Sequence, residues 1–371
     1  MFSVRLRSFR SSVATAFTFL ALALISAAQM PELPPRSSPP PSSVPQTGNP
    51  PATPPGAPGN GGAQPPQVPS RQPGDQQSGD QQSISPEPGG DQSGMFVFKK
   101  QVEEVVLHAT VLDEQRHLVP YLDKSAFSVY ESGVPQTITS FRHEDVPVAM
   151  GIVIDNSGSM RDKRDKVNQA VLNFIRSSNP QDEIFVVNFS QNYYLDQDFT
   201  SNVNLLQAAL HQVSTKGSTA LYDAIVASAV HLRNNPRLDK KVLLVITDGQ
   251  DNMSQETLQE ATRQLQKANG PTIYAIGLLG SGMQSSGRDA LQRLADGTGG
   301  VAYFPDGLDQ VNNITHAVAH DIRSQYIVAY KPRDQNARPS YQSVRVEANA
   351  PGMGHLTVRT KSGYFEGENA R

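Results

Sequence analysis

Two aspartates close two apolar runs, Asp155 at the end of Val148–Asp155 (VAMGIVID) and Asp248 at the end of Lys241–Asp248 (KVLLVITD). The first continues through Asn156, Ser157, Gly158, Ser159 and Met160, the second through Gly249, Gln250, Asp251 and Asn252. Between them, Lys216-Gly217-Ser218-Thr219-Ala220 opens a further stretch of helical pattern. Asp155, Ser157, Ser159, Thr219 and Asp248 therefore offer two carboxylates and three hydroxyls, an all-oxygen set of hard donors. Such a set suits Mg2+ or Mn2+, with Ca2+ fitting less well. Few negative ligands leave residual positive charge on a dication, and an open coordination position then draws in a carboxylate from another molecule. Two blander readings stand beside this one. An aspartate before Ser-Gly-Ser also suits a helix cap, and a site can keep these residues without keeping the metal.

Other chemistry finds less support. Ser157 and Ser159 have no histidine in motif position, and no Gly-x-Ser-x-Gly elbow occurs, which argues against nucleophilic hydrolysis. His316 and His320 are spaced i, i+4 on a predicted helix, a spacing that can bind zinc. No glutamate follows His316, so a solvated pair is the expectation. Asp251 and Asn252 read as loop polar residues. Tyr193-Tyr194 reads either as part of a binding surface or as a loop anchor. A Mg2+-dependent phosphohydrolase would want Asp-x-Asp, and the second position here is Ser157. Lys240 and Lys241 stand at the wrong end of their strand for phosphate.

The elements that must position these residues follow from hydrophobic patterning. Unbroken apolar runs at Val148–Asp155, Glu183–Phe189 and Lys241–Asp248 predict strands buried on both faces. Further strands are predicted at Thr272–Leu278 and Gly300–Phe304. Helical patterns fall at 162–177, 203–213, 220–232, 255–268, 288–295 and 308–323. Alternating strands and helices predict an α/β fold, a doubly wound, mostly parallel sheet, whose C-terminal strand ends gather both aspartates. Before Pro147 and after Ser324 the pattern is short alternating strands: 105–113, 126–133, 135–141, then 326–330, 343–348 and 355–360. The economical architecture inserts the α/β layer between two halves of one small β-sandwich.

Asp155-x-Ser157-x-Ser159, Thr219 in a Gly-Ser-Thr loop and Asp248 in a Thr-Asp-Gly loop resemble the metal-ion-dependent adhesion site of the von Willebrand factor A domain. The resemblance covers about 148–323. It implies direct ligation by Ser157, Ser159 and Thr219, with Asp155 and Asp248 often acting through water. The flanking segments are similar to those of bacterial exported proteins related to this family, through Phe127–Gln136 (FSVYESGVPQ) and Ser362-Gly363-Tyr364. Tyr130-Glu131-Ser132 departs from the Glu-Asp pair common before that glycine. The family implies a metal-dependent protein-binding module rather than an enzyme.

Composition sets the surroundings. Arg5, Arg7 and Arg10 precede an apolar run, Val13–Ile25, and Ser26-Ala27-Ala28. The run suits a signal peptide and falls short of the ~20 residues that span a bilayer. An uncleaved anchor is the alternative, and in either case the rest of the chain is exported to the periplasm, the cell surface or the medium. Of 28 prolines, 18 lie between Pro31 and Pro88. With Gly, Ser and Gln filling the rest of 29–94, this stretch is expected to be a disordered linker. The chain has no cysteine and a net charge of −3 without a basic cluster. That excludes thiolate chemistry and argues against nucleic acid as the partner. The expected organisation is 1–28 signal peptide, 29–94 linker, 95–146 first sandwich half, 147–324 metal-binding domain and 325–366 second sandwich half. The expected partner is a protein presenting an acidic residue. The alternative is a metal-stabilised scaffold in an envelope assembly, and the sequence leaves the oligomeric state open.

Overall fold

The structure, a computed structural model, describes residues 33–35, 104–211, 215–235, 237–278, 285–332 and 341–365. The expected signal peptide lies outside these residues, as does the expected linker apart from Leu33–Pro35. Among the described residues no helix is long and apolar enough to cross a membrane.

The chain opens with β1 (Val105–Leu112), β2 (Phe127–Glu131), β3 (Val134–Gln136) and β4 (Ile138–Arg142). The loop between β2 and β3 is Ser132-Gly133, with φ +47° and +81°. Positive φ at both positions marks the tight turn whose twist matches an antiparallel pair. The α/β layer follows: β5 (Val148–Asp155), α1 (Arg164–Ser177), β6 (Glu183–Phe189), β7 (Tyr193–Thr200), α2 (Val203–His211), α3 (Leu221–Asn234) and β8 (Lys240–Thr247). It continues with α4 (Leu258–Leu265), β9 (Thr272–Gly277), α5 (Ser285–Thr298), β10 (Ala302–Tyr303) and α6 (Val311–Arg323). The last strands are β11 (Tyr326–Tyr330), β12 (Tyr341–Ala348), β13 (Thr357–Arg359) and β14 (Gly363–Phe365).

The six-stranded sheet runs β10-β9-β8-β5-β6-β7 and is parallel except at β7. All eight residues of β5 are buried, which explains its unbroken apolar run. Met150, Ile152 and Ile154 face α1, α2 and α6, while Ala149 and Val153 face α3, α4 and α5. Gly151 falls on the second face, where a Cβ would lie 2.3 Å from the Phe185 ring and 2.6 Å from Leu243. Both neighbours are fully buried, so they can move only by disturbing the packing around them. Gly151→Ala is therefore expected to cost about 1–3 kcal/mol through overpacking, read as a lower urea midpoint at unchanged m-value.

Two four-stranded antiparallel sheets, β13-β1-β11-β4 and β14-β12-β2-β3, make the sandwich. Its pairings cross the insertion: Leu107 faces Val328 and Val129 faces Val346. The sandwich is thus built from both ends of the α/β layer. The two flanking motifs of the sequence meet inside it. Buried Glu131 accepts hydrogen bonds from Tyr330 (2.8 Å) and Tyr364 (2.6 Å). A Cβ at Gly363 would lie 2.4 Å from the Gln342 carbonyl, so only glycine lets β14 approach β12 there.

A polar seam joins sandwich and α/β layer. Asp321 of α6 accepts from Thr110 of β1 (3.0 Å), Tyr274 of β9 (2.6 Å) and the Arg359 guanidinium of β13. Lys240, 3 % exposed at the start of β8, donates to the Ile322 carbonyl. Burial lowers the Lys240 ammonium to about 8, with the Asp321 carboxylate opposing the shift. An ammonium disfavoured by folding leaves the unfolded chain holding more protons, so stability rises as pH goes from about 8 to 10.5. The gain is at most about 3 kcal/mol. Lys240→Met is expected to remove that share of the slope, measured by urea denaturation at pH 7.5, 9 and 10.

Candidate metal centre

The order of the sheet places β5 and β8 side by side, with chain leaving β5 toward β6 on one side and β8 continuing to β9 on the other. In an open α/β sheet the crevice at such a switch point, beyond the carboxyl ends of the strands, is where ligands bind. Asp155 is the last residue of β5, and Asp248 follows Thr247 at the end of β8. Ser157 and Ser159 lie in the loop from β5 to α1, tightened by a 3-10 turn at Gly158–Met160. Thr219 enters from the loop before α3. All five residues singled out in the sequence therefore reach the same edge.

Backbone hydrogen bonds hold the loops together. Lys216 N–H donates to the Asn156 carbonyl (2.8 Å), and Gly158 N–H donates to Gly217 (3.2 Å). Asn252 N–H donates to the Thr219 carbonyl (3.0 Å), and the Asn252 side-chain oxygen accepts from Thr219 N–H (2.9 Å). Asp251 accepts from Tyr222 N–H and the Ser254 hydroxyl. Asp251 and Asn252 thus brace the start of α3, in keeping with their reading as loop polar residues.

The side chains form one chain of contacts. Asp155, fully buried, accepts from Ser157 N–H (2.7 Å) and the Thr247 hydroxyl (2.6 Å). Ser157 Oγ lies 3.0 Å from Ser159 Oγ, and the Ser159 hydroxyl donates to Asp248 (2.7 Å). A Cβ on Gly249 would lie 3.1 Å from Thr219 Oγ1 and 3.7 Å from Asp155 Oδ2, so glycine keeps the ground between these oxygens open. Burial pushes the Asp155 carboxyl above the usual carboxylate range, against the hydrogen bonds from Thr247 and Ser157, and Asp248 adds to the rise. A cation beside it acts in the opposite direction. Ser157, Thr219 and Asp248 are buried, whereas Ser159 is exposed, so the cluster opens to solvent on the Ser159 side.

One participant was not legible in the sequence. Lys163, just before α1, places its ammonium on Asp248 Oδ2. The Asp248 side chain is 1 % exposed, and the lysine supplies a tethered positive charge there. Contact across 85 residues of chain leaves no local signal, although Lys163 lies only four residues beyond Ser159. By contrast, Lys240 stands at the opposite end of β8.

The donor set fits a hard divalent cation: two carboxylates, three hydroxyls, no sulfur or imidazole, and a glycine that keeps space between the oxygens. The side-chain hydrogen bonds of Ser157 and Ser159 run to each other and to Asp248, with no histidine among them. His316 and His320 lie exposed on α6. Among the described residues no group of three or more His, Cys, Asp or Glu side chains is placed to hold a metal; the cluster at Asp155 depends on hydroxyls for most of its donors. Tyr193 and Tyr194, expected in a loop, begin β7 and are half-buried.

Residues 150–250 match the family of von Willebrand factor type A domains. No curated protein matches the chain. Several solved structures are similar to it. Conserved hypothetical protein BatB from Bacteroides thetaiotaomicron is 18 % identical with a TM-score of 0.39, over 47 % of this chain and 97 % of that one. A von Willebrand factor type A protein from Catenulispora acidiphila is 14 % identical with a TM-score of 0.42, over 70 % and 73 %. Proximal thread matrix protein 1 from the mussel byssus, in a form with a zinc-occupied MIDAS motif, is 18 % identical with a TM-score of 0.41, over 52 % and 50 %.

Proposed function

Given that the chain contains a von Willebrand factor type A domain over residues 150–250, we propose that this domain binds one divalent cation, Mg2+ or Mn2+, and through it an acidic residue of a partner protein. Asp155, Ser157, Ser159, Thr219 and Asp248 would hold the ion. The observation that carries the reading is their convergence from three loops on one strand edge, with Asp155 buried at the floor and Ser159 exposed at the rim. When bound, the ion supplies a positive charge that two carboxylates and three neutral hydroxyls leave incompletely shielded. The chain's own part is to hold the oxygens in place: Thr247 and Ser157 N–H fix the Asp155 carboxylate, and Gly249 leaves room beside it. The N-terminal Arg-plus-apolar segment supports a setting at the cell envelope or outside the cell.

A second reading has one observation in its favour. Lys163 already gives Asp248 a cationic partner, which suits a scaffold domain that needs no ion exchange at its edge. Phosphoryl transfer gains nothing comparable, because Ser157 occupies the position where a general acid is needed.

The two readings separate in a Mn2+ experiment. With Mn2+ bound, an open coordination position carries exchangeable water and enhances water-proton relaxation. Titration with a short Asp-containing peptide is expected to reduce that enhancement in the wild type. Mn2+ binding with no response to the peptide would favour the scaffold.

A further inference from the structure

The strand β7 closes one edge of the six-stranded sheet, and an edge strand offers unpaired backbone groups to any extended chain that reaches it. Here a distant part of the same chain has reached it. The Leu195 N–H donates to the Pro34 carbonyl at 2.9 Å, and Pro35 bridges Leu195 in parallel. Leu33 packs, half-buried, against the core cluster that holds the α3 face of the sheet, as do Tyr193, Leu195 and Phe199. Beside Pro34 lies a cavity of about 630 Å3, lined by Tyr193, Tyr194, Asp223, Met253 and Glu256 among others. Met253 is 55 % exposed there.

This ground adjoins the candidate metal centre. Gln191, which also lines the cavity, reaches within 3.4 Å of where a Cβ on Gly217 would stand, and the Gly217 carbonyl accepts from Gly158 N–H between Ser157 and Ser159. The chemistry of the occupant fits the ground. A Leu-Pro-Pro segment is stiff and extended before it docks, so little chain freedom is lost. Proline cannot donate to the ladder but can accept from it, and the bond from Leu195 is donated by the strand.

We propose that the outer edge of β7 and this cavity form a strand-addition site for an extended, proline-containing segment, and that its resident occupant is the chain's own Leu33–Pro35. Among the described residues, a ladder hydrogen bond from Leu195 and the half-buried Leu33 hold the contact, while Ser37–Val102 separates it in sequence from β1. The segment is therefore a displaceable cover beside the metal loops, and a partner that adds a strand to β7 must first displace it. The proposal stands whether or not the loops bind a cation.

The test is amide hydrogen exchange at Leu195, in the full chain and in its Leu33→Asp variant, with Mg2+ and with EDTA. Ala220 N–H, which donates to Ser190 (2.7 Å), serves as an internal reference for an intact fold. Leu195 is expected to exchange about tenfold faster in Leu33→Asp while Ala220 is unchanged. A synthetic peptide of residues 29–38 added to that variant is expected to restore the protection, and the same peptide carrying Leu33→Asp is not. Equal Leu195 exchange in both chains, or no protection from the wild-type peptide, would overturn the proposal. Independence from Mg2+ separates this outcome from any failure of the metal reading.

Discussion

Asp155→Ala is expected to weaken cation binding by about two orders of magnitude or more, because it removes one of only two carboxylates in an all-oxygen set. Without cation the variant should still fold. It loses the acceptor for Ser157 N–H and the Thr247 hydroxyl, but it also removes a carboxylate buried at real cost, and the two effects oppose each other. Lys163→Met is expected to act in the other direction. A dication that takes Asp248 must displace the ammonium resting on it, so removing that charge should tighten Mg2+ binding by about tenfold. Calorimetric titration of wild type and both variants reads both effects. Equal affinity in wild type and Asp155→Ala would place the cation elsewhere on the molecule.

The second large effect lies at the opposite end of the sheet. Asp321→Ala is expected to cost about 3–5 kcal/mol, as breaking a buried, hydrogen-bonded ion pair does. The carboxylate accepts from Thr110, Tyr274 and Arg359, and its loss strands two buried hydroxyls and a guanidinium that is 23 % exposed. Asp321→Asn keeps the shape without the charge and should fall between. Since the seam ties α6 and β9 to β1 and β13, the whole described fold should be weakened, not one layer. Urea denaturation followed by tyrosine fluorescence checks it, and a loss below about 1 kcal/mol would make the seam peripheral.

Burial explains which elements could be read from sequence. β5, β6 and β8 are covered on both faces, so their residues form short, unbroken apolar runs whose length suits a strand. The observed limits of β5 and β6 match the expected ones. β7 left no such trace, because Tyr193–Thr200 is half-exposed at the edge and half of its residues are polar. The helix expected over 255–268 is shorter, Leu258–Leu265. The Thr257 side chain accepts from Glu260 N–H and caps it, a local signal that lay in the sequence as Thr-x-x-Glu. Asp223 takes the N–H groups of Gln255 and Glu256, which keeps them out of the helix. The helix expected over 288–295 is longer, Ser285–Thr298, and ends before Gly299 at φ +81°, the left-handed stop that glycine favours.

The candidate site was legible for a different reason. Four of its five residues sit at or just beyond the ends of two strands, which apolar runs mark, and Thr219 stands just before a helix, after Gly217-Ser218. Lys163, the contact of Thr247 with Asp155 and the docking of Leu33–Pro35 were not, since each acts through a tertiary contact that no spacing announces. The flanking motifs were visible as patterns, but what joins them is the hydrogen bond from Tyr364 to Glu131 across 233 residues of chain.

Whether Asp155 and its neighbours hold a cation is tested by thermal unfolding of the protein with Mg2+, Mn2+, Ca2+, Zn2+ or EDTA, beside Asp155→Ala. Binding to the folded state alone stabilises it by about 2.7 kcal/mol at a hundredfold excess over Kd. Mg2+ and Mn2+ are expected to raise the wild-type Tm and to leave that of Asp155→Ala where EDTA leaves it. An unchanged wild-type Tm at millimolar cation, or an equal rise in Asp155→Ala, would contradict it.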